Sequence, residues 1–149
     1  MIKYLIYNKD NIIMKIFKDK LDLNTSKRTE FLDITLNIQE FIDKSEINNG
    51  IINIYSKHST SAIVINENEG GLLVDFEKIL SDIVPENNSY KHDIIDNNAT
   101  SHIRSLFLGP SETIPFSDKK LTLGTWQSIF FIELDGPRKR TVEITLIGE

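Results

Sequence analysis

The chain has 149 residues, 40% hydrophobic and 26% charged, which is typical of one globular domain around a single core. It contains no cysteine, which excludes disulfides and thiolate chemistry. Its net charge of −5 argues against a nucleic-acid partner, because phosphate-backbone binding needs a basic surface. No apolar stretch approaches the roughly 20 residues that a membrane span requires. We therefore expect a cytoplasmic protein with no membrane partner.

The first part of the chain predicts strands. Residues 1–13 show no clear period, and we interpret them as an N-terminal extension of one domain at 14–149, with Met14 as an alternative start. Residues 14–23 predict an edge strand and residues 27–34 a second strand.

Helices and strands then follow each other. Thr35 is a candidate cap for a helix with an apolar face at Ile38, Phe41 and Ile42. The β-branched runs at 51–57 and 62–66 predict strands. Pro85 ends a second helix, whose expected core face comprises Leu72, Leu73, Phe76, Ile79, Leu80 and Ile83.

The rest of the chain completes an α+β pattern. Asn98 or Thr100 can cap a short helix that should turn Ile103, Leu106 and Phe107 to the core. The last forty residues resemble strands. This order predicts a two-layer fold, an antiparallel sheet with helices on one face. Repeated βαβ units and a glycine-rich phosphate loop are missing from the sequence, which excludes a doubly wound nucleotide fold.

Three histidines carry the first chemical hypothesis. His58, His92 and His102 all lie in polar or helix-capping contexts, and neutral imidazole is the commonest metal ligand. Their spacing matches no short zinc motif, so three unrelated histidines remain an alternative. Asp93 and Glu67 are candidate acids or bases, or partners for an imidazole.

Other polar motifs suggest ligand contacts. Four hydroxyls surround His58 between Ser56 and Ser61, although no serine-nucleophile elbow is present. In Gly124-Thr125-Trp126-Gln127, Trp126 is suited to stacking on a heterocycle and Gln127 to bonding its edge, with core packing of the tryptophan as the alternative. Arg138 either meets a phosphate or carboxylate or is a solvated turn residue.

Several of these motifs together resemble the YjbQ family of secondary thiamine-phosphate synthase enzymes. The resemblance covers residues 14–149. Its matching pieces, in chain order, are His58-Ser59-Thr60-Ser61-Ala62, Asn66-Glu67-Asn68, Tyr90-Lys91-His92-Asp93, Ser101-His102-Ile103, Leu108-Gly109, Gly124-Thr125-Trp126-Gln127 and the arginine-rich turn that leads to Gly148-Glu149. The family usually has His-Thr-Ser-Ala at the first motif, so which of the three hydroxyls faces the site stays open.

The resemblance implies a homotrimer with a site near subunit contacts. It implies that the three histidines bind a divalent metal, which we take to be zinc with magnesium as an alternative. It also implies weak thiamine-phosphate synthase activity, in which a pyrimidine pyrophosphate joins a thiazole phosphate. Asp93 and Glu67 are then the catalytic candidates, and the substrate-binding candidates are Ser61, Asn66, Asn68, Trp126, Gln127 and Arg138.

Two other functions fit the same residues. One is a metal-dependent hydrolase in which a metal-bound water attacks the substrate. The other is a non-catalytic trimer that binds a small phosphorylated or heterocyclic metabolite. The sequence does not discriminate between a binding site and an enzyme.

Overall fold

The computed structural model describes residues 4–7 and 13–149, with side chains from Met14 onward. Its helices are α1 (Thr35–Lys44), α2 (Gly70–Ile83) and α3 (Ala99–Leu108), with a short 3-10 helix at Lys91–Ile94. Its strands are β1 (Tyr4–Tyr7), β2 (Ile13–Asn24), β3 (Glu30–Asp33), β4 (Gly50–Ser56), β5 (Ser61–Glu67), β6 (Ser111–Ser117), β7 (Lys120–Leu121), β8 (Gln127–Glu133) and β9 (Lys139–Gly148). Within these described ranges, no helix has both the length and the hydropathy to span a membrane.

The strands form two antiparallel sheets. One has six strands in the order β1-β2-β9-β4-β6-β7, and the other has three in the order β3-β8-β5. The α+β class with antiparallel strands is confirmed, but the expectation of one sheet with helices on one face is wrong. Side chains of both sheets meet in one core, and the chain crosses between the sheets several times, the last time at the turn after β8. The prediction of an edge strand at 14–23 is also wrong, because β2 lies between β1 and β9.

The N-terminal extension lies only partly within the described residues. Tyr4–Tyr7 pair with the start of β2, and residues 1–3 and 8–12 are outside the described part. The boundary between an extension and a domain at residue 14 therefore stays a prediction.

The three-stranded sheet is buried on both faces. Ile129 and Phe131 of β8 belong to the main core between the sheets, which also takes in the apolar face of α1. Phe130 and Ile132, on the opposite face, pack with side chains of α2 and α3. A strand with two buried faces carries a continuous apolar run instead of an alternating one, which explains residues 129–132.

Helix α3 reverses the orientation expected from its apolar residues. Leu106 and Phe107 are 83% and 67% exposed, whereas Ser101 and Ser105 are buried. The Ser101 hydroxyl donates to the Leu134 carbonyl and the Ser105 hydroxyl to the Ser61 carbonyl. The two serines satisfy backbone acceptors beside β5 and β8, and an apolar face would leave those acceptors unpaired. Ile79 and Ile83 of α2 are likewise exposed, against expectation.

Thr35 does not cap α1, another difference from the sequence prediction. It is the first residue of the helix, and its hydroxyl accepts a hydrogen bond from the Ile129 backbone N–H at 2.8 Å. Thr35 therefore joins α1 to β8, while the apolar face at Ile38, Phe41 and Ile42 is buried as predicted.

Candidate functional site

The register of β5 and β8 separates the candidate residues into two groups. Ser61 pairs with Glu133 at one end of the two strands, and Glu67 pairs with Gln127 at the other. Six residue steps along a strand span about 20 Å. We call the first end the histidine end and the second the tryptophan end. The structure brings the three histidines to the first, and Trp126 belongs to the second.

His92 and His102 are neighbours at the histidine end. Their ring centres are 5.0 Å apart and the ring planes meet at 77°. His102 lies in the first turns of α3, and His92 comes from the 3-10 helix. The side-chain carbonyl of Asn98 accepts from His92 Nε2 at 3.2 Å. Because a carbonyl oxygen only accepts, Nε2 carries a proton, and Nδ1 is the nitrogen with a lone pair in the neutral tautomer.

Asn98 connects His92 to the turn after β8. Its amide nitrogen donates to Asp135 Oδ2 at 3.0 Å, and the same oxygen accepts from Arg138 at 2.7 Å. Asn98 is buried, so these bonds hold its amide in one orientation. The sequence suggested Asn98 only as a helix cap, but in the structure it orients an imidazole.

His58 lies at the same depression as His102. The two histidines line one open depression together with Tyr55, Ser59 and Ser105. His58 Nε2 accepts from the Thr141 backbone N–H at 3.1 Å. Burial, followed by the nearby Arg140 charge, lowers the pKa of His58 below its ordinary value of 6.5.

We expect His58 to be neutral at pH 7 and to gain its proton only below pH 6.5. The folded state disfavours the imidazolium, so the stability that this residue contributes is present above pH 6.5 and is lost as the pH falls toward the folded-state pKa. The Cε1–H resonance of His58, assigned by its disappearance in His58→Gln, gives the midpoint by NMR. A midpoint at or above 6.5 would contradict this expectation.

The histidine arrangement fits a metal in part. Two imidazoles on one tetrahedral ion have ring centres about 5 Å apart, since each nitrogen lies about 2.1 Å from the metal, and His92 and His102 match that separation. His58 differs, because Thr141 occupies its Nε2 lone pair. No three His, Asp or Glu side chains among the described residues are grouped as metal ligands. A three-histidine site therefore requires His58 to turn away from Thr141.

Two other candidates at the histidine end support the backbone. Asp93 Oδ1 accepts from the Ala99 N–H at 3.0 Å, which caps the start of α3. Ser61 is fully buried, and its hydroxyl lies 2.6 Å from that of Ser56. Thr60 is also buried, whereas Ser59 is exposed and lines the depression. Of the three residues left open by the sequence, Ser59 is the one that lines the depression.

The tryptophan end holds the remaining candidates except Arg138. Trp126 is 73% exposed, so the alternative that it packs in the core is wrong. The Gln127 side chain accepts from the Gly124 N–H and closes the turn before β8. Asn68 donates to Asp33 at 2.8 Å. Asn66 accepts from the Glu67 N–H and, like Glu67, lines a small apolar recess against α2.

A buried ion pair beneath the histidine end escaped the sequence analysis. Glu133 is fully buried, and its carboxylate accepts from Arg140 Nε at 2.7 Å and from the Leu134 and Asp135 N–H groups. Arg140 also donates to the Thr60 hydroxyl at 2.9 Å. The pair therefore supports both the loop that carries His58 and the turn that carries Arg138. The sequence signal for this ion pair was Glu133, a charged residue directly after the apolar run at 129–132.

The fold and these residues define a class of α+β protein: two antiparallel sheets with a histidine-lined depression at one end of the smaller sheet. Comparison with known proteins names that class. The family model "UPF0047 protein YjbQ-like" matches residues 19–149, and the chain belongs to this family. The predicted family resemblance is confirmed.

Individual relatives agree with this assignment. A UPF0047 protein of Methanothermobacter thermautotrophicus is 49% identical over 141 residues, which is 95% of this chain and 99% of the relative. UPF0047 protein YugU of Bacillus subtilis is 35% identical over 86% of this chain and 97% of its own. A solved YbjQ-like protein of unknown function from Sulfolobus solfataricus superimposes with a TM-score of 0.89 at 41% identity, covering 91% of this chain and 99% of that one.

Proposed function

We propose that this chain is a metal-dependent small-molecule enzyme with weak thiamine-phosphate synthase activity. The observation that carries the proposal is the pair of imidazoles of His92 and His102, 5.0 Å apart beside the open depression that His58 also lines. The substrate class, a pyrimidine pyrophosphate and a thiazole phosphate, comes from the family resemblance. We place the activity in the cytoplasm.

The proposed metal site uses His92 Nδ1 and His102, with His58 as a third ligand once its ring has turned from Thr141. Zinc suits nitrogen ligands, and magnesium is the alternative. A bound divalent ion would neutralise charge on a departing pyrophosphate. The protein's own part is to hold the imidazoles in place through Asn98 and Asp135.

We further propose a homotrimer in which each site is shared by two subunits. In one protomer the tryptophan end lies about 20 Å along β5 and β8 from the histidine end. A small ligand does not span this distance, so one that contacts both ends must meet them on different subunits. Large apolar side chains exposed near the histidine end are suited to a subunit interface; they are Ile83, Ile94, Ile95, Leu106 and Phe107.

Metal content tests the two-imidazole centre directly. After zinc loading and desalting, we expect about one zinc per wild-type subunit and a loss of most of it in His92→Ala and His102→Ala. Trp126→Phe is the matched control and should keep its zinc, since Trp126 lies at the other end of the sheet. Equal zinc content in wild type and His102→Ala would contradict the proposed metal site.

Turnover tests the activity. Purified protein is mixed with the two thiamine precursors, with and without a chelator, and product is followed by chromatography. Chelator-sensitive product formation supports the proposal, and its absence at high enzyme concentration overturns it.

The hydrogen bonding of Asp93 favours a second candidate function, the binding of a metabolite without catalysis. Asp93, the expected acid or base, is engaged with the Ala99 N–H at the start of α3. A non-catalytic trimer that binds a metabolite would need no free carboxylate. Tight binding of a precursor without turnover would favour it.

A further inference from the structure

A buried arginine joins the segment after α2 to helix α3. The Arg104 side chain is only 5% exposed. One of its terminal nitrogens donates to the Val84 carbonyl at 2.8 Å, and the other lies 2.9 Å from Glu86 Oε1. Its Nε has no hydrogen-bond partner among the described residues. Glu86 is therefore the counter-charge of this buried guanidinium.

The Glu86 carboxylate lies among donors from two separate segments, helix α3 and the loop before β3. Besides Arg104, the hydroxyl of buried Thr100 donates to Glu86 Oε2 at 3.1 Å. Arg28, from the loop before β3, places a guanidinium nitrogen 3.8 Å from the same oxygen. Two guanidinium groups and a hydroxyl that converge on one anion are the groups that proteins use to bind phosphate or carboxylate ligands.

The anion in this cluster is the part that is free to leave. The Glu86 side chain is 46% exposed, whereas Arg104 and Thr100 are buried beneath it. Glu86 lies on the polar stretch between α2 and the 3-10 helix, outside any helix or strand. The Glu86 carboxylate can therefore rotate into solvent while the buried Arg104 and Thr100 stay in place.

We infer that Arg104, Thr100 and Arg28 form an anion-binding site that Glu86 occupies in this structure, and that the phosphate group of a small-molecule ligand displaces Glu86. A phosphate brings more acceptor oxygens than a carboxylate, so it can accept from Arg104 Nη1, the Thr100 hydroxyl and Arg28 together. Arg28 additionally donates to the Asn97 carbonyl, next to the Asn98 that binds His92. The anion site therefore adjoins the histidine end.

This assignment differs from the sequence expectation that Arg138 holds a phosphate. The Arg138 guanidinium is bonded to both the carboxylate and the carbonyl of Asp135. The choice of phosphate as ligand rests on the proposed function, but its binding is measured without turnover, so the two can fail separately.

The test is inorganic phosphate binding to Glu86→Gln by isothermal titration calorimetry at constant ionic strength. Removing the competing carboxylate is expected to tighten phosphate binding about tenfold relative to wild type, the scale of one charge-assisted hydrogen bond. Glu40→Gln is the matched control, because Glu40 is also an exposed carboxylate in an ion pair, with Lys44. It changes the net charge equally and should leave phosphate binding at the wild-type level.

Two double variants locate the bound phosphate. Arg28→Gln or Thr100→Val in the Glu86→Gln background should return the affinity to the wild-type level or below. Arg104 itself is left intact because it is buried, and circular dichroism confirms that each variant is folded. Equal affinity in Glu86→Gln and Glu40→Gln would overturn the inference, and so would a gain that survives both double substitutions. A gain in phosphate affinity without any thiamine-phosphate formation would support the anion-binding site and contradict only the proposed synthase activity.

Discussion

Replacing Arg140 by methionine is expected to lower the free energy of unfolding by about 3–5 kcal/mol, because it leaves the buried Glu133 carboxylate without its counter-charge. Glu133 is fully buried and Arg140 is 6% exposed. Urea denaturation followed by circular dichroism measures the change.

An exposed ion pair provides the control. Lys57 and Glu143 also form a close pair, but their side chains are 56% and 32% exposed. Lys57→Met should therefore cost less than about 1 kcal/mol. Glu133→Gln combined with Arg140→Met should recover part of the loss, since glutamine removes the buried charge and keeps an acceptor for the Leu134 or Asp135 N–H. Similar losses in Arg140→Met and Lys57→Met would contradict this account.

The same pair makes stability depend on pH in a defined direction. Burial by itself raises the pKa of Glu133, but the hydrogen bond and charge of Arg140, with the Asp135 N–H, outweigh it and hold the pKa below 4.5. The folded state thus binds this proton less readily than the unfolded chain. The stabilising contribution is present above pH 4.5 and is lost as the pH falls through the folded-state pKa.

The second large effect is expected from mixing two inactive variants. His102→Ala removes the histidine end and Trp126→Ala the tryptophan end of the proposed shared site. If the site joins two subunits, a trimer that contains both variants regains about one third of wild-type turnover, because one of its three sites then combines two intact halves. Each variant alone should be inactive.

Coexpression with two affinity tags yields the mixed trimers, and thiamine-phosphate formation is the readout. Trimers in which both tagged chains are His102→Ala, or both are Trp126→Ala, are the controls for the tags and for expression. If one protomer held a complete site, every subunit of the mixture would lack one half. Mixed trimers without recovered turnover would therefore exclude the shared site.

The sequence predicted those parts of the fold that depend on local pattern. The apolar face of α1 and the strands at 51–57 and 62–66 lie close to where periodicity placed them, because burial of one face imposes its period on the chain. The family, too, followed from several short motifs in a consistent order. These features need only neighbouring residues.

Long-range pairing was decided by tertiary structure. No local pattern shows that β8 and β9 belong to different sheets, or that α3 buries Ser101 and Ser105 while Leu106 stays exposed. Helix α3 takes this orientation because the carbonyls of Ser61 and Leu134, distant in sequence, need donors. Hydrophobicity along a helix carries no information about such acceptors.

The three histidines show the same division. The sequence by itself showed that these imidazoles lie in polar stretches of the chain, and their binding of a metal stays a prediction. Only the tertiary structure placed His92 beside His102, tied His58 to Thr141 and set Trp126 at the far end of the sheet. The physical reason is that a side chain's chemistry is local, whereas its free lone pair and its neighbours depend on which distant backbone groups the fold brings against it.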